Sequence, residues 1–140
     1  MYRSGAGLTP RPLRRIASGG ELSRVMLASK VVLGNADGVD TLVFDEVDAG
    51  VGGSTARALA SVLADLAATH QVIVVTHLAQ VAVMADKHYV VSKEPGDVPQ
   101  THLDEVAGDA RIAEIARMLS GDQSEASLAH AKQMLEEARG

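Results

Sequence analysis

Two adjacent carboxylates, Asp45 and Glu46, come directly after a short apolar run at residues 41–44. A continuous apolar run of this length is typical of a strand buried on both faces, as in a parallel sheet. Neighbouring strand residues point to opposite sides, so the two carboxylates are expected to do different work. One can hold Mg²⁺, usually through water, while the other faces a nucleophilic water as a general base. A solvated strand end without chemistry is the alternative for an isolated pair.

A second apolar run, residues 71–76, ends in Thr76 and is followed by His77. A neutral histidine there can accept a hydrogen bond from a water or donate one to a phosphate. Ligands of parallel α/β sheets bind at the carboxyl ends of the strands, which places His77 beside Asp45 and Glu46. A structural role is the alternative for a strand-end histidine taken alone.

A third feature is the tetrapeptide Ser18-Gly19-Gly20-Glu21. It fits the capping box, in which Ser caps the first helical turn and Glu reaches back to the cap amide. Two glycines let a phosphate approach the backbone closely, and the helix that follows aims its amides and positive dipole end at that phosphate. A capped helix after a flexible loop is the alternative.

Helices and strands alternate along the rest of the chain. The first helix is predicted to end at residues 34–38 and to bury Leu22, Val25, Met26, Ser29 and Val32. A second helix follows the Gly-rich loop at 50–53, with an apolar face of Ala56, Leu59, Ala60, Leu63 and Leu66. Further predictions are a short helix at 78–85, a strand at 88–92 and an edge strand at 100–106. Two more helices are predicted at 109–119 and 124–139, and the second of them carries Leu128, Ala131 and Leu135 on one side. Strand, helix, strand, helix, strand predicts an α/β fold with a parallel sheet core flanked by helices.

Composition limits the classes of function. The chain has 140 residues, 46% of them hydrophobic, and no cysteine, which excludes disulfides and thiolate metal sites. No stretch approaches the roughly 18–20 apolar residues of a membrane span, and no secretory signal is evident. A net charge of -5 and 2% aromatic residues argue against a nucleic-acid platform. A basic patch exists before residue 16, formed by Arg3, Arg11, Arg14 and Arg15. We expect a cytoplasmic protein in which this patch is not the main DNA contact.

The order of these features resembles the second half of the ABC ATPases. Residues 17–24 resemble the ABC signature motif, residues 41–46 the Walker B motif with its catalytic glutamate, and residues 75–77 the segment of the switch histidine. Val47 stands where ABC transporters usually carry proline, which makes the chain similar to SMC-type heads. The chain also resembles the RecN family of recombination and repair ATPases, at residues 16–24, 76–82 and 114–121. Gly52 adds to this resemblance, since it stands in place of the D-loop aspartate of SMC heads.

This resemblance implies a fold, a function and a set of site residues. Residues 13–140 would form the C-terminal lobe of a P-loop NTPase of the ABC/SMC head type, and residues 1–12 a loop or remnant after a coiled coil. ATP would be sandwiched between two heads and hydrolysed during recombinational repair of DNA double-strand breaks. The implied ATP-contacting positions are Ser18, Gly19, Gly20 and Glu21. The implied metal position is Asp45, for Mg²⁺, and the implied catalytic positions are Glu46, which activates water, and His77, which senses the γ-phosphate.

The resemblance covers only part of a head. No Gly-Lys dipeptide occurs, so the P-loop motif G-x-x-x-x-G-K-[ST] is absent, as are a Q-loop and a long coiled coil. We therefore expect a C-terminal fragment whose partners are the P-loop lobe of the same protein and a second head in a homodimer. DNA would be reached through the parent protein, near the nucleoid, with no membrane contact. Alone, the chain is expected to bind ATP weakly without hydrolysing it, and to expose an apolar sheet edge and face.

Other functions remain open at this point. The chain could be a non-catalytic module that only docks to an ATP-bound head, or a head fragment of another SMC or ABC ATPase. A transporter ATPase subunit is disfavoured by Val47. A metal-dependent hydrolase would instead use a cluster of Asp45, Glu46, Asp48 and His77.

Overall fold

The computed structural model describes residues 19–36 and 38–140. The chain divides into two compact units, the first ending at Thr76 and the second running from His77 to Gly140. Ser18, the four N-terminal arginines and the loop predicted for residues 1–12 lie outside the described residues, so the boundary at residue 13 stays a prediction. In the described part of the chain, no helix is both long and apolar enough to cross a membrane.

The first unit contains a β-α-β arrangement preceded by a helix. Its elements are α1 (Gly19–Leu33), β1 (Thr41–Asp45), α2 (Gly53–Ala67) and β2 (Gln71–Val75). The two strands pair in parallel, from Thr41 opposite Gln71 to Asp45 opposite Val75. The predicted α/β fold with a parallel strand pair is confirmed, and the strand ends that carry Asp45 and Thr76 lie side by side.

Local sequence explains the bounds of both helices. Gly34 takes the left-handed conformation, with φ of 58°, and its amide closes α1 on the Lys30 carbonyl at 2.8 Å. The extended residue Gly52 precedes α2. The buried residues of α2 are Ala56, Ala60, Leu63 and Leu66, which confirms the face predicted from its 3.6-residue period, with Leu59 half-buried.

Both strands are covered on one face only, so the prediction of strands buried on both faces was wrong. Phe44 is 4% exposed, whereas Val43 is 63% and Ile73 45% exposed. Side chains alternate across a strand, and α1 and α2 pack against β1 and β2 respectively, leaving the odd-numbered residues uncovered. We call Val43, Ile73 and Val75 the open sheet face.

The buried face of α1 also differs from the predicted one. Met26 is 60% and Val32 84% exposed, while Gly20, Leu27 and Lys30 are buried. The side of α1 that carries Gly20, Ser23 and Arg24 approaches the chain after β1 and forms hydrogen bonds with it. Gly20 is small enough for this approach, and Ser23 and Arg24 are the hydrogen-bond donors. These contacts decide which face of α1 is turned towards β1, although the apolar residues of the helix predict another face.

The second unit combines a β-hairpin with three helices. Its elements are α3 (Ala79–Ala82), β3 (His88–Glu94), β4 (Gln100–Val106), α4 (Gly108–Ser120) and α5 (Glu125–Arg139). The strand predicted to extend the parallel sheet is β3, and it pairs instead with β4, antiparallel, from His88 opposite Val106 to Glu94 opposite Gln100. The short connection at residues 95–99 returns the chain directly beside β3, which favours the hairpin.

A small helical core holds the second unit together. Ile115 and Ala116 of α4 are fully buried and pack with Ala131 and Leu135 of α5 and with Ala79 and Ala82 of α3. Arg111 fastens α4 to the end of α3, since its Nη2 donates to the carbonyls of Ala82 at 3.1 Å and Ala85 at 2.7 Å. Ser124 caps α5 by accepting from the Ser127 amide.

Replacing Ile115 by alanine should lower the free energy of unfolding of the second unit by about 2–5 kcal/mol, because the change leaves a cavity in a closely packed core. Val98→Ala is the matched control, since Val98 is 78% exposed, and it should stay within about 0.5 kcal/mol. Urea unfolding followed by circular dichroism measures both. Equal losses in the two variants would contradict the assigned core.

Acid should weaken the α4–α5 connection through Asp122. Its carboxylate accepts from the Ser127 hydroxyl at 2.8 Å and from the Ser124 amide and Ser120 hydroxyl at 3.1 Å, which lowers its pKa to about 2. The stabilisation is present above the ordinary pKa of 3.8 and is lost as pH falls through about 2. In thermal unfolding across this window, Asp122→Asn should therefore lose less stability with acid than the wild type. Val98→Ala, in the β3–β4 connection, should follow the wild type, because it removes no carboxylate.

Candidate functional site

The start of α1 lies against the chain that follows β1. A Cβ atom built on Gly19 would lie 2.5 Å from Glu46 Oε2. One built on Gly20 would lie 2.7 Å from the Ala49 Cβ and 2.8 Å from the Glu46 carbonyl oxygen. Gly20 is therefore required for this close approach, before any ligand is considered, whereas at Gly19 the added atom would meet only the end of the Glu46 side chain.

Glu46 has an unusual backbone conformation. Its φ is 57°, the one positive φ among the described residues other than glycine. The left-handed region costs a residue with a side chain about 1–2 kcal/mol, so the surroundings must enforce it. Here the Ala49 amide donates to the Glu46 carbonyl at 3.0 Å and closes a turn. We call residues 46–49 the Glu46 turn; it reverses the chain so that the exposed Glu46 carboxylate reaches the first residue of α1.

Side chains of α1 fasten this turn. The Ser23 hydroxyl donates to the Asp45 carbonyl at 2.6 Å. Arg24 Nη1 donates to the Ala49 carbonyl at 2.7 Å and to the Val47 carbonyl at 3.2 Å. Val47 is fully buried, so the turn is held from the helix side by hydrogen bonds and from the core side by packing.

A buried carboxylate ties the same turn to the end of β2. Asp48 is 1% exposed, and the Thr76 hydroxyl donates a hydrogen bond to its Oδ2. A buried carboxylate is tolerated when hydrogen bonds satisfy it, as here. Because Thr76 directly follows β2, Asp48 joins the carboxyl ends of the two parallel strands.

The structure brings together four of the predicted site residues: Gly19, Gly20, Asp45 and Glu46. Ser18 lies outside the described residues, and Glu21 is half-buried in the first turn of α1. His77 is exposed and is the first residue of the second unit. The ligand roles of all these residues stay predictions.

Sequence reasoning missed the residues that hold the site. Ser23 and Arg24 were only part of the glycine-rich motif, and Asp48 was considered only as a metal ligand. Neither the burial of Asp48 nor the hydrogen bonds that Ser23 and Arg24 donate to backbone carbonyls follows from a local sequence pattern. The one available signal was the third acidic residue, Asp48, two positions after Glu46 in an apolar context.

The donor set at the end of β1 suits a magnesium nucleotide. Mg²⁺ prefers oxygen ligands and usually keeps several waters while binding one or two carboxylates and substrate phosphates. The exposed carboxylate of Asp45 can be such a ligand, and the amides of the first turn of α1 can face a phosphate. Within the described residues, no group of three His, Asp or Glu side chains is arranged to hold a metal ion.

Comparison with known proteins finds relatives that are DNA repair proteins named RecN. No protein-family model matches the chain. It is 57% identical over 125 residues to the DNA repair protein RecN of Deinococcus radiodurans, a match that covers 89% of this chain and 22% of that protein. Identity to RecN of Mycobacterium leprae is 54% over 139 residues, covering 99% and 24%. Identity to RecN of Treponema pallidum is 53% over 137 residues, covering 96% and 24%. The chain thus spans about a quarter of the length of these relatives.

The fold has a counterpart among solved structures. A chain from work on the structural biochemistry of ATP-driven dimerization and DNA-stimulated activation of SMC ATPases superimposes with a TM-score of 0.53. The match covers 96% of this chain and 69% of that chain at 21% sequence identity. This similarity shows the fold alone, an α/β arrangement shared with that chain.

Alanine at the two glycines should have unequal effects on stability. At Gly20 the new methyl group meets backbone and Ala49, so the free energy of unfolding should fall by about 1–3 kcal/mol. At Gly19 it meets only the end of the Glu46 side chain, which can rotate away, and the helix propensity of alanine offsets the cost. Urea unfolding of both variants measures the difference. Equal stability of the two would contradict the described approach of α1 to the Glu46 turn.

Proposed function

The chain is homologous to a C-terminal segment of the RecN DNA repair proteins, and from this relationship we propose that it supplies part of an ATP-hydrolysing head. The head would act in recombinational repair of DNA double-strand breaks, in the cytoplasm near the nucleoid. The observation that carries the proposal is the packing of the glycine-rich start of α1 on the turn that bears Glu46. This packing joins the amides that would face the ATP of a second head to the turn whose carboxylate would face a water.

Each site residue has a proposed task. Glu46 accepts the proton of the attacking water, and Asp45 is a ligand of Mg²⁺. Bound Mg²⁺ would neutralise charge on the phosphates of ATP. Ser18, Gly19, Gly20 and Glu21 contact the ATP held by a second head, and His77 senses a γ-phosphate.

The proposed partners are a P-loop lobe and a second head. Support for the first comes from the open sheet face, where three apolar side chains are about half or more exposed, and from the absence of a Gly-Lys dipeptide in the sequence. A lobe that contains the P-loop would cover that apolar surface and bind the phosphates. DNA contacts would lie mainly elsewhere in the parent protein, because this chain carries a net charge of -5.

A non-catalytic docking module is the second candidate. The absence of a P-loop motif from the 140 residues favours it for the chain on its own. The two candidates differ in whether Glu46 matters: a docking module needs the start of α1 but no general base.

A chimera separates the two candidates. This chain would replace the matching segment of Deinococcus radiodurans RecN, and ATP hydrolysis and ATP binding would be measured. We expect turnover, and we expect Glu46→Gln to lower kcat by about 10²-fold or more with ATP binding retained, because it removes a general base. Glu136→Gln, at an exposed position of α5, is the matched control and should leave kcat unchanged. Turnover insensitive to Glu46→Gln, or ATP binding without turnover in the unmutated chimera, would contradict the proposed catalytic role.

A further inference from the structure

Arg24 links α1 to the Glu46 turn through a single nitrogen atom. Its Nη1 donates to the carbonyls of Ala49 at 2.7 Å and Val47 at 3.2 Å, and the residue is half-buried. We propose that Arg24 is a positioning residue, which acts through the backbone of the turn to hold Glu46 in its left-handed conformation. The inference rests on the proposed function, since it assigns Arg24 to the same site.

The conformation of Glu46 needs support from outside the turn. A residue with a side chain persists in the left-handed region only where the surrounding structure over-determines it. The local hydrogen bond, from the Ala49 amide to the Glu46 carbonyl, closes the turn at 3.0 Å but binds only its two ends. Arg24 binds the carbonyl of Val47, the residue after Glu46, and the carbonyl of Ala49, the last residue of the turn.

The far side of the turn is anchored independently. Val47 is fully buried, and Asp48 is held by the Thr76 hydroxyl. With that side fixed by the core, the remaining freedom of the turn is displacement away from α1, which the two Arg24 hydrogen bonds oppose. Arg24 therefore sets the distance between the backbone of Glu46 and the start of the helix.

The chemistry of this contact selects arginine. One guanidinium nitrogen presents two N–H groups in a rigid plane, so it serves two carbonyl oxygens at once. Lysine offers a point charge on a flexible stem and cannot reproduce that plane. Gly20 leaves the space for the guanidinium, since a Cβ atom there would lie 3.3 Å from Arg24 Nη1.

Hydrogen exchange in the full chain tests the contact without nucleotide. Arg24→Ala should speed exchange of the Ala49 amide about tenfold or more, because hydrogen bonds from a charged donor are worth roughly 1.5–3 kcal/mol. Arg24→Lys should give an intermediate rate. Arg57→Ala, which removes an exposed arginine from α2, should leave the rate unchanged. Unchanged exchange at Ala49 in Arg24→Ala would overturn the proposal, as would loss of folded structure in both Arg24 variants.

Kinetics of the chimera then separate positioning from nucleotide binding. Because Arg24 acts on Glu46 and not on ATP, Arg24→Ala should lower kcat about 10–100-fold while KM for ATP stays within about twofold. Arg24→Lys should restore part of kcat. An unchanged kcat, or a rise in KM without a fall in kcat, would overturn the proposal. If Glu46→Gln left turnover intact, the proposed function would fail, while exchange at Ala49 would still show whether Arg24 holds the turn.

Discussion

The close approach of α1 to the Glu46 turn is the constraint on which the rest of the first unit depends. It requires glycine at position 20, because any side chain there would meet the Glu46 carbonyl and Ala49 of the turn. It also orients α1, since Ser23 and Arg24 must face the carbonyls after β1. The exposed apolar residues on the other side of α1 are the cost of that orientation. Local polar geometry here overrides the hydrophobic pattern of the helix.

The β-α-β arrangement adds the second half of the site. Parallel pairing of β1 and β2 brings two strand ends together, and Asp48 and Thr76 bond across them. One turn is thereby attached to a helix, to the core and to the neighbouring strand. Such threefold attachment fixes the backbone from which the Glu46 side chain projects. The open sheet face, by contrast, leaves three apolar side chains uncovered.

The sequence was sufficient for the type and order of the elements, because periodicity, glycines and motif spacing are local signals. The place of α2 after the Gly-rich loop and that of Asp45 at the end of β1 follow from such signals, while the chemical roles of the site residues stay predictions. The left-handed conformation of Glu46, the contacts of Arg24 and the burial of Asp48 did not, because each depends on residues more than 20 positions away along the chain. The strand β3 was placed in the wrong sheet for a related reason, since an apolar run does not specify its partner strand.

The most direct test of the central claim is the proximity of Gly20 to Ala49 in solution. Nuclear Overhauser contacts between the Gly20 α protons and the Ala49 methyl group, measured together with the backbone coupling of Glu46, report both the approach and the conformation. The structure predicts a contact between Gly20 and Ala49 and a positive φ at Glu46. An extended Glu46 without a contact between Gly20 and Ala49 would show that the start of α1 does not pack on the turn, and the proposed site would lose its physical basis.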